Sequence, residues 1–223
     1  MCGIFCSNNL STFEILDQAN KKRGNFSTGI FYTYKNANYK IIRKEGEIDF
    51  NEIKLPQGNG FLYLGHNQAP TETGRDYVEI NSHPFQFGDW VVAHNGVITN
   101  FNELVDKHAA FHHNPVDSSI IPGLLDEFEY NSKPCETPKD EQKLILKVLE
   151  LLKGTFAVWI INIKTMNIYI ARQGSTLFYK GSNVSSVKGY RYREVKEGIL
   201  YSYSYEGMTK VGEFKNKSPF LTL

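Results

Sequence analysis

Short runs of β-branched and aromatic residues recur along the chain and predict a protein dominated by strands. Runs of this kind, separated by Gly, Pro, Asn and Asp, are typical of strands of roughly four to eight residues. The predicted strands cover residues 3–7, 28–34, 39–43, 61–66, 90–94, 155–163, 167–172, 175–179 and 199–205. We also expect mainly strands in the segment that follows residue 179.

Two helices are predicted in the first half of the chain from residues that cap helices. Ser11 and Glu14 have the spacing of a capping box and predict a helix over residues 12–23, which Gly24 would end. Asn100 is a good N-cap residue and predicts a second helix that runs towards residue 108.

A third helix is predicted from Thr137 and Pro138, since proline is favoured in the first turn of a helix. Apolar residues then recur at helical spacing as far as Gly154, so this helix is expected to pack on a sheet. Residues 117–128 also have a helical pattern, but we expect Pro122 to kink or break it.

Composition and turn spacing favour one folded domain over residues 1–223. The chain has 41% hydrophobic and 22% charged residues, and it contains no repeat, low-complexity tract or Gly/Ser linker. A net charge of +1 with scattered Lys and Arg gives no basic surface, so nucleic-acid and anionic-membrane partners are not expected.

The N-terminal segment and the cysteines indicate the cellular compartment. No apolar run approaches the roughly 18 residues of a membrane-spanning helix, and MCGIFCSNNL lacks the basic region of a secretory signal. Three cysteines do not suggest a disulfide framework, and Cys2 and Cys6 would lie roughly 13 Å apart in one strand. We therefore expect a cytoplasmic protein.

Cys2 stands out by its position, because removal of the initiator methionine would expose it as the N-terminal residue. An N-terminal cysteine carries a nucleophilic thiol and a free α-amino group, whose pKa of about 7.7 to 8.0 suits proton transfer near neutral pH. Such a residue needs no histidine as its base, although a cysteine at position 2 is by itself a weak signal.

Six segments, the first of which contains Cys2, form a recognisable series along the chain. The segments are MCGIF at the start, RGNFSTGI (23–30), LGHNQAPT (64–71), NSHPF (81–85) with VVAHNGVITNFNEL (91–104), VDSSII (116–121) and GTFAVWIINIKTMNIYIARQGSTLFY (154–179). In kind and order they resemble the class II glutamine amidotransferases, a family of N-terminal nucleophile hydrolases, and the resemblance runs from Cys2 to Tyr179.

The resemblance implies an α+β fold, a four-layer αββα sandwich with the nucleophile at the start of an inner strand. It also implies an enzyme that hydrolyses the side-chain amide of glutamine through a cysteine thioester. Cys2 would be the nucleophile, and Asn95 and Gly96 would form the oxyanion hole. The family's reaction implies no metal or cofactor at these positions.

The same resemblance implies a set of substrate contacts, and two positions depart from the family pattern. Asp117 matches the carboxylate that pairs with the substrate α-ammonium group, and Thr71 matches a hydroxyl near the α-carboxylate. Phe26 replaces an Asp, and Gln68 replaces the Arg that binds the α-carboxylate. Arg75 is the nearest candidate to supply the missing cation.

Three hypotheses about function remain open. The first is a stand-alone glutaminase subunit that supplies ammonia to a partner synthase on a separate chain. The second is an N-terminal nucleophile hydrolase of a different amide, and the third is an inactive relative that senses a ligand. Simpler readings also remain: Asn95 and Gly96 could form a hairpin turn, and His112 and His113 are expected at the surface and not at a metal.

Overall fold

The computed structural model describes residues 2–34, 38–69, 76–108, 115–132 and 134–216. Within them two antiparallel sheets stack face to face, and helices cover the outer face of each sheet. The strands are β1 (Gly3–Ser7), β2 (Ser27–Tyr34), β3 (Asn38–Glu45), β4 (Phe61–Gln68), β5 (Phe85–Phe87), β6 (Trp90–Ile98), β7 (Gly154–Asn162), β8 (Asn167–Gln173), β9 (Phe178–Lys180), β10 (Asn183–Ser185), β11 (Arg193–Glu194), β12 (Ile199–Ser204) and β13 (Gly207–Glu213). The helices are α1 (Leu10–Lys21), α2 (Phe101–Lys107), α3 (Ile120–Tyr130) and α4 (Pro138–Leu151), and short 3-10 helices cover Glu79–Asn81 and Asp117–Ser119.

The strand order places the start of the chain in the middle of a sheet. The seven-stranded sheet has the order β11-β9-β10-β1-β4-β2-β3, and the six-stranded sheet has the order β13-β12-β8-β7-β6-β5. Strand β1 is therefore paired on both sides, with β10 and with β4. A residue that precedes β1 consequently lies close to the carboxyl end of β4.

Alternating side chains divide the core into three layers. Leu62 and Leu64 of β4 face Trp159 and Ile161 of β7 in the layer between the sheets. Phe13 of α1 packs on the other face of the seven-stranded sheet, and α3 and α4 pack on the outer face of the six-stranded sheet. This arrangement confirms the predicted four-layer αββα fold.

Each of the nine predicted strands overlaps an observed strand; β1 has the predicted ends, and each of the others is shifted at one or both ends. The largest extension is β6, which continues past residue 94 to Ile98. Asn95 and Gly96 therefore lie inside a strand paired with β7, and the hairpin-turn reading of this pair is wrong. Strand β5 was not predicted, because a run of three residues carries too little pattern.

Helix α1 begins earlier than predicted. Asn9 is its N-cap, and the Asn9 side chain accepts a hydrogen bond from the backbone N–H of Thr12, so the Ser11–Glu14 capping box is wrong. The helix ends at Lys21, and Gly24 serves packing instead: a Cβ there would lie 2.3 Å from the backbone nitrogen of Ala69.

The other helices follow the predictions in extent more closely than in capping. Helix α4 has the predicted start, with a capping box between Thr137 and Asp140. Asn100 precedes α2, but its side chain does not cap that helix and instead accepts from the backbone N–H of Lys153. Pro122 does not break α3, since it lies in the first turn, where its missing N–H costs nothing. In the described residues no helix has the length and apolar character needed to cross a membrane.

Candidate active site

Cys2 is held at the start of β1 by two other segments of the chain. Its Sγ lies 3.9 Å from the carbonyl oxygen of Ala69, which follows β4, and Arg23 donates from Nε to the Cys2 carbonyl at 2.7 Å. Burial raises the pKa of the Cys2 thiol, and the charge of Asp117 raises it further, whereas Ala69 and Arg23 lower it. A neutral thiol therefore dominates near neutral pH and needs a base to react.

Cys6 provides a useful contrast four residues further along the same chain. It is fully buried in the apolar layer between the sheets, and burial raises the pKa of its thiol well above the ordinary value. Cys2, Cys6 and Cys135 are all free, which agrees with the prediction of no disulfide framework.

Asn95 lies in β6 with its side chain in the space between the sheets, at 3% exposure. Its Nδ2 donates to Ser186 Oγ at 3.2 Å, and the same oxygen accepts from the backbone N–H of Ile4 at 3.0 Å. Ile4 is only two residues from Cys2. The hydroxyl of Ser186 thus connects the strand of the candidate nucleophile to the candidate oxyanion donor on the opposite sheet.

Gly96 follows Asn95 where β6 and β7 come very close. A Cβ at Gly96 would lie 2.0 Å from the carbonyl oxygen of Thr155 and 2.8 Å from His94 Nε2. Any larger residue would push the two strands apart, so glycine is required here by packing alone. The absent side chain also leaves the backbone open to a substrate.

Asp117 is oriented by the end of β6. Its Oδ2 accepts from the backbone N–H of Ile98 at 2.7 Å, and its Oδ1 accepts from Ser118 Oγ at 3.2 Å. These contacts bind the carboxylate to the strand that carries Asn95 and Gly96. The predicted catalytic and substrate-binding positions on this side of the site are therefore structurally linked.

A cleft of 770 Å³ opens beside these residues. Gly96 and Asp117 line it together with Asp76, Val78 and Asn81. Among the described residues that line the cleft two are carboxylates and none is Lys or Arg. The cleft is large enough for an amino acid and suits a cationic group near Asp117.

The side chain of Gln68, a predicted substrate-binding position, makes contacts within the protein. The residue is 2% exposed, and its Oε1 accepts from Ser27 Oγ at 3.0 Å and lies 3.4 Å from His83 Nδ1. Its carbonyl oxygen is thus used within the protein. Thr71 and Arg75, the other two predicted carboxylate contacts, lie outside the described residues.

Three histidines form a buried group beside the site. The rings of His66 and His83 stack with centroids 3.8 Å apart, and His66 Nε2 is 3.0 Å from the carbonyl oxygen of His94. His94 contacts Ser118 Oγ through Nδ1 at 2.8 Å. Burial lowers the pKa of His66 to about 3 and also lowers that of His94, so both rings are neutral and structural.

Phe26 stands where the family pattern has an Asp. A different part of the chain, helix α1, places a buried acidic side chain next to the strands β1 and β4. Asp17 of α1 is fully buried and accepts from Asn67 Nδ2 at 3.0 Å, and Asn67 is the ladder partner of Gly3. Burial raises the pKa of the Asp17 carboxyl group. Asp17 belongs to no motif, so the sequence alone did not indicate it.

No group of three or more His, Cys, Asp or Glu side chains in the described residues could bind a metal ion. His108 Nδ1 lies 2.9 Å from Glu127 Oε1. His112 and His113 lie outside the described part of the chain.

Sequence reasoning also missed two residues that contact the candidate site. Arg23 was recognised only as the start of a motif, although it binds the Cys2 carbonyl. Ser186 was not recognised at all, because a single serine in a strand-rich region carries no pattern.

The chain is similar to known proteins along most of its length. It is 30% identical to 7-cyano-7-deazaguanine synthase 2 of Sulfurisphaera tokodaii over 165 residues, which cover 71% of this chain and 34% of that protein. It is 29% identical to a glutamine–fructose-6-phosphate aminotransferase of Streptococcus pneumoniae over 186 residues, which cover 79% of this chain and 30% of that protein. The chain thus spans about a third of the length of these relatives, and no protein-family model matches it.

Solved structures share the fold at lower identity. Glutamine phosphoribosylpyrophosphate amidotransferase of Bacillus subtilis matches with a TM-score of 0.71 and 19% identity, over 96% of this chain and 49% of that one. A predicted glutamine amidotransferase of Pseudomonas aeruginosa matches with a TM-score of 0.54 and 12% identity, over 93% of this chain and 94% of that one.

The stacked antiparallel sheets and their outer helices define an N-terminal nucleophile hydrolase fold. Within that class, the chain belongs to the class II glutamine amidotransferase domain family.

Proposed function

We propose that residues 1–223 form one domain that hydrolyses the side-chain amide of glutamine and supplies ammonia to a synthase. Membership of the class II glutamine amidotransferase family supports glutamine as the substrate. The observation that carries the proposal is the hydrogen-bonded path from Ile4, two residues from Cys2, through Ser186 to Asn95. It joins the strand that follows the candidate nucleophile to the candidate oxyanion donor on the other sheet.

The first chemical step is attack by Cys2 Sγ on the amide carbon of glutamine. Because burial raises the pKa of this thiol, a base must take its proton during the attack. The α-amino group of Cys2, exposed by removal of Met1, is the base in this proposal. It later returns the proton to the leaving nitrogen, so that ammonia departs and a thioester remains, which water hydrolyses to glutamate.

Asn95 and Gly96 stabilise the negative oxygen that forms during the attack. The Asn95 amide and the Gly96 backbone N–H are the donors, and loss of one such donor typically slows a reaction by about 10² to 10³. Asp117, whose carboxylate lies beside Gly96 in the cleft, pairs with the α-ammonium group of glutamine. Thr71 and Arg75 are proposed contacts for the α-carboxylate.

The ammonia acceptor is proposed to be a synthase on a separate chain. The two relatives named above carry about two thirds of their length outside the region that matches this chain. Their names state a synthase and an aminotransferase activity. By analogy, we propose a partner with an ammonia-consuming active site for this domain.

A second candidate function is hydrolysis of an amide that has a free amine but no free carboxylate. Gln68 favours it, since it replaces a cation and its Oε1 is engaged by Ser27 and His83. The two carboxylates that line the cleft also favour it, because they suit a cationic group and not a carboxylate. An inactive ligand-sensing relative is the remaining alternative.

Ammonia release from three amides separates these candidates. Glutamine, its α-methyl ester and its N-acetyl derivative should be compared, with Cys2→Ala as the control for background hydrolysis. The first proposal expects glutamine to have the highest kcat/KM and the N-acetyl derivative to be poor, because Asp117 would lose its cation. Preference for the ester would favour the second candidate, and release from none of them the third.

Intact mass tests the proposed base and the nucleophile. Active protein should begin at Cys2, and 6-diazo-5-oxo-norleucine should add mass to Cys2 alone. Active protein that retains Met1 would contradict the role of the α-amine, and labelling of Cys6 or Cys135 would contradict the choice of nucleophile.

A further inference from the structure

The backbone and side chain of Ser186 make contacts on both sheets next to the candidate site. Its backbone N–H donates to the carbonyl of Ile4 at 2.9 Å, so the pairing of β10 with β1 continues one residue beyond Ser185. Its Oγ accepts from the Ile4 N–H at 3.0 Å and from Asn95 Nδ2 at 3.2 Å. The side chain is 1% exposed, so water does not compete for these bonds.

The backbone position of Ser186 is itself restrained. Thr176 Oγ1 donates to the Ser186 carbonyl oxygen at 3.1 Å, and β10 pairs with β9 on the side away from β1. The Oγ therefore stands on a rigid part of the seven-stranded sheet. A hydrogen bond to such an anchor restricts the rotation of a neighbouring side chain more than a bond to a mobile loop does.

We propose that Ser186 is a positioning residue, which orients the Asn95 amide towards the developing oxyanion at Cys2. The inference rests on the proposed function of Asn95. An amide nitrogen has two N–H groups, and the bond to Ser186 uses one of them. Because the amide group is planar, fixing the first N–H also fixes the direction of the second. Ser186 Oγ also binds the Ile4 N–H, so the amide is oriented relative to the strand that begins after Cys2.

This arrangement matters because an oxyanion donor acts through its geometry. A donor that is misplaced by about 1 Å can lose on the order of 10²-fold in rate. Asn95 belongs to the six-stranded sheet and Cys2 precedes a strand of the other sheet, so a small shift between sheets would change their distance. Ser186 hydrogen-bonds to both sheets, at Ile4 and at Asn95, and so limits changes in the distance between Asn95 and Cys2.

Ser185 offers a matched control on the neighbouring position. It is fully buried, and its Oγ also accepts two hydrogen bonds, from Asn20 Nδ2 at 2.9 Å and from the Val187 N–H at 3.0 Å. These partners belong to α1 and the chain beyond β10, not to the candidate site. Ser185→Ala thus removes comparable buried bonds without touching Asn95.

The kinetic test is a double-mutant cycle on ammonia release from glutamine. Ser186→Ala is expected to lower kcat roughly tenfold with little change in KM, since the lost orientation matters mainly in the transition state. In the Asn95→Ala background the same change should have little further effect, because the residue through which Ser186 acts is gone. Ser186→Thr keeps the hydroxyl and should recover most of the rate, and Ser185→Ala should keep the wild-type kcat.

Three kinetic results would overturn the inference. The first is a wild-type kcat for Ser186→Ala. The second is a loss of kcat from Ser186→Ala that is as large in the Asn95→Ala background as in the wild type. The third is a loss of kcat for Ser185→Ala as large as that for Ser186→Ala, which would indicate general damage to the fold. In each of these three cases, the proposed function would still stand if the single variant Asn95→Ala lost activity.

An activity-independent measurement tests the contact even if glutamine is not the substrate. In nitrogen-15 NMR spectra, assigned with Asn95→Ala, the Asn95 side-chain amide should exchange slowly with solvent in the wild type. That protection should be lost in Ser186→Ala and kept in Ser185→Ala. Rapid exchange in the wild type would overturn the inference, whereas protection without ammonia release would contradict only the choice of glutamine.

Discussion

The layer between the two sheets has an apolar part and a polar end, although the same strands build both. Along β4 the inward side chains are Leu62 and Leu64, followed by His66 and Gln68. Along β6 they are Val91 and Ala93, followed by Asn95, and along β1 the buried Cys6 and Ile4 are followed by Cys2. All three strands thus change from apolar to polar at one end of the layer.

The two regions differ in what their burial contributes. Apolar side chains stabilise the fold by leaving water, whereas a buried polar group costs free energy unless it is hydrogen-bonded. At the polar end the amide groups of Gln68 and Asn95 both have partners, on Ser27, His83 and Ser186. Polar groups gathered where three strands end therefore indicate a site, and the apolar part indicates a scaffold.

The largest expected effect distinguishes Cys2, which precedes β1, from Cys6, which lies within β1. Cys2→Ala should lower ammonia release from glutamine by at least ~10³-fold, because the nucleophile is lost. Cys6→Ala should retain kcat, since Cys6 only packs between the sheets. Steady-state ammonia assays check both variants, and equal losses would remove the functional distinction between the two regions.

The next effect separates the buried Asn95 from Asp117, which lines the cleft. Asn95→Ala should lower kcat by about 10² to 10³ with little change in KM, as expected for an oxyanion donor. Asp117→Ala should chiefly raise KM, because the proposed partner of the α-ammonium group is lost. If the two variants exchange these kinetic signatures, the roles of Asn95 and Asp117 have been assigned the wrong way round.

A change in the apolar part should affect stability alone. Leu64→Ala removes a fully buried side chain and should lower the free energy of unfolding by about 2 to 5 kcal/mol. The kcat of the remaining folded protein should stay near the wild-type value. Chemical denaturation and ammonia assays at the same temperature measure the two effects. A large loss of kcat would contradict the separation of the apolar part from the site.

The polar end should also make stability depend on pH. The pKa of His66 is lowered to about 3 by burial, while an unfolded histidine titrates near 6.5. Between these pH values the unfolded state binds one more proton than the folded state. The contribution of the neutral His66 to the free energy of unfolding is therefore fully present above pH 6.5. As the pH falls towards 3, stability should fall by about 1.4 kcal/mol per unit from this group.

The measurement for His66 is denaturation between pH 7 and pH 4. His66→Gln should have a shallower dependence on pH than the wild type, because one titrating group is removed. The lowered pKa of His94 acts in the same direction and should persist in that variant. An unchanged slope would mean that His66 is not held neutral by its surroundings.

The smallest expected effect concerns Gln68. Gln68→Ala should lower the free energy of unfolding by about 1 to 3 kcal/mol, because Ser27 and His83 lose their acceptor. The KM for glutamine should change little. Ser27→Ala, which removes only the first of these bonds, is the control, and a raised KM with unchanged stability would restore Gln68 as a substrate ligand.

Much of the fold and part of the site followed from the sequence. Short runs of β-branched and aromatic residues located nine strands, and the family resemblance gave Cys2, Asn95 and Asp117 as candidates. The extent of β6 was not predictable, because Asn95 and Gly96 have turn-forming propensities that pairing with β7 overrides. The N-cap of α1 was misplaced for a related reason: Asn9 and Ser11 are both good caps, and local sequence does not choose between them.

Sequence alone determined which face of each strand is apolar and where that pattern turns polar, because both properties are local. Tertiary structure decided which polar groups meet. Asn95 and Ser186 are 91 residues apart, and Arg23 and Cys2 are 21 residues apart, yet each pair is hydrogen-bonded. Gln68 likewise contacts Ser27, its ladder partner on β2, and His83, which precedes β5 of the other sheet. A residue's type states which bonds it can make, but only strand pairing and packing in the folded chain select its partner.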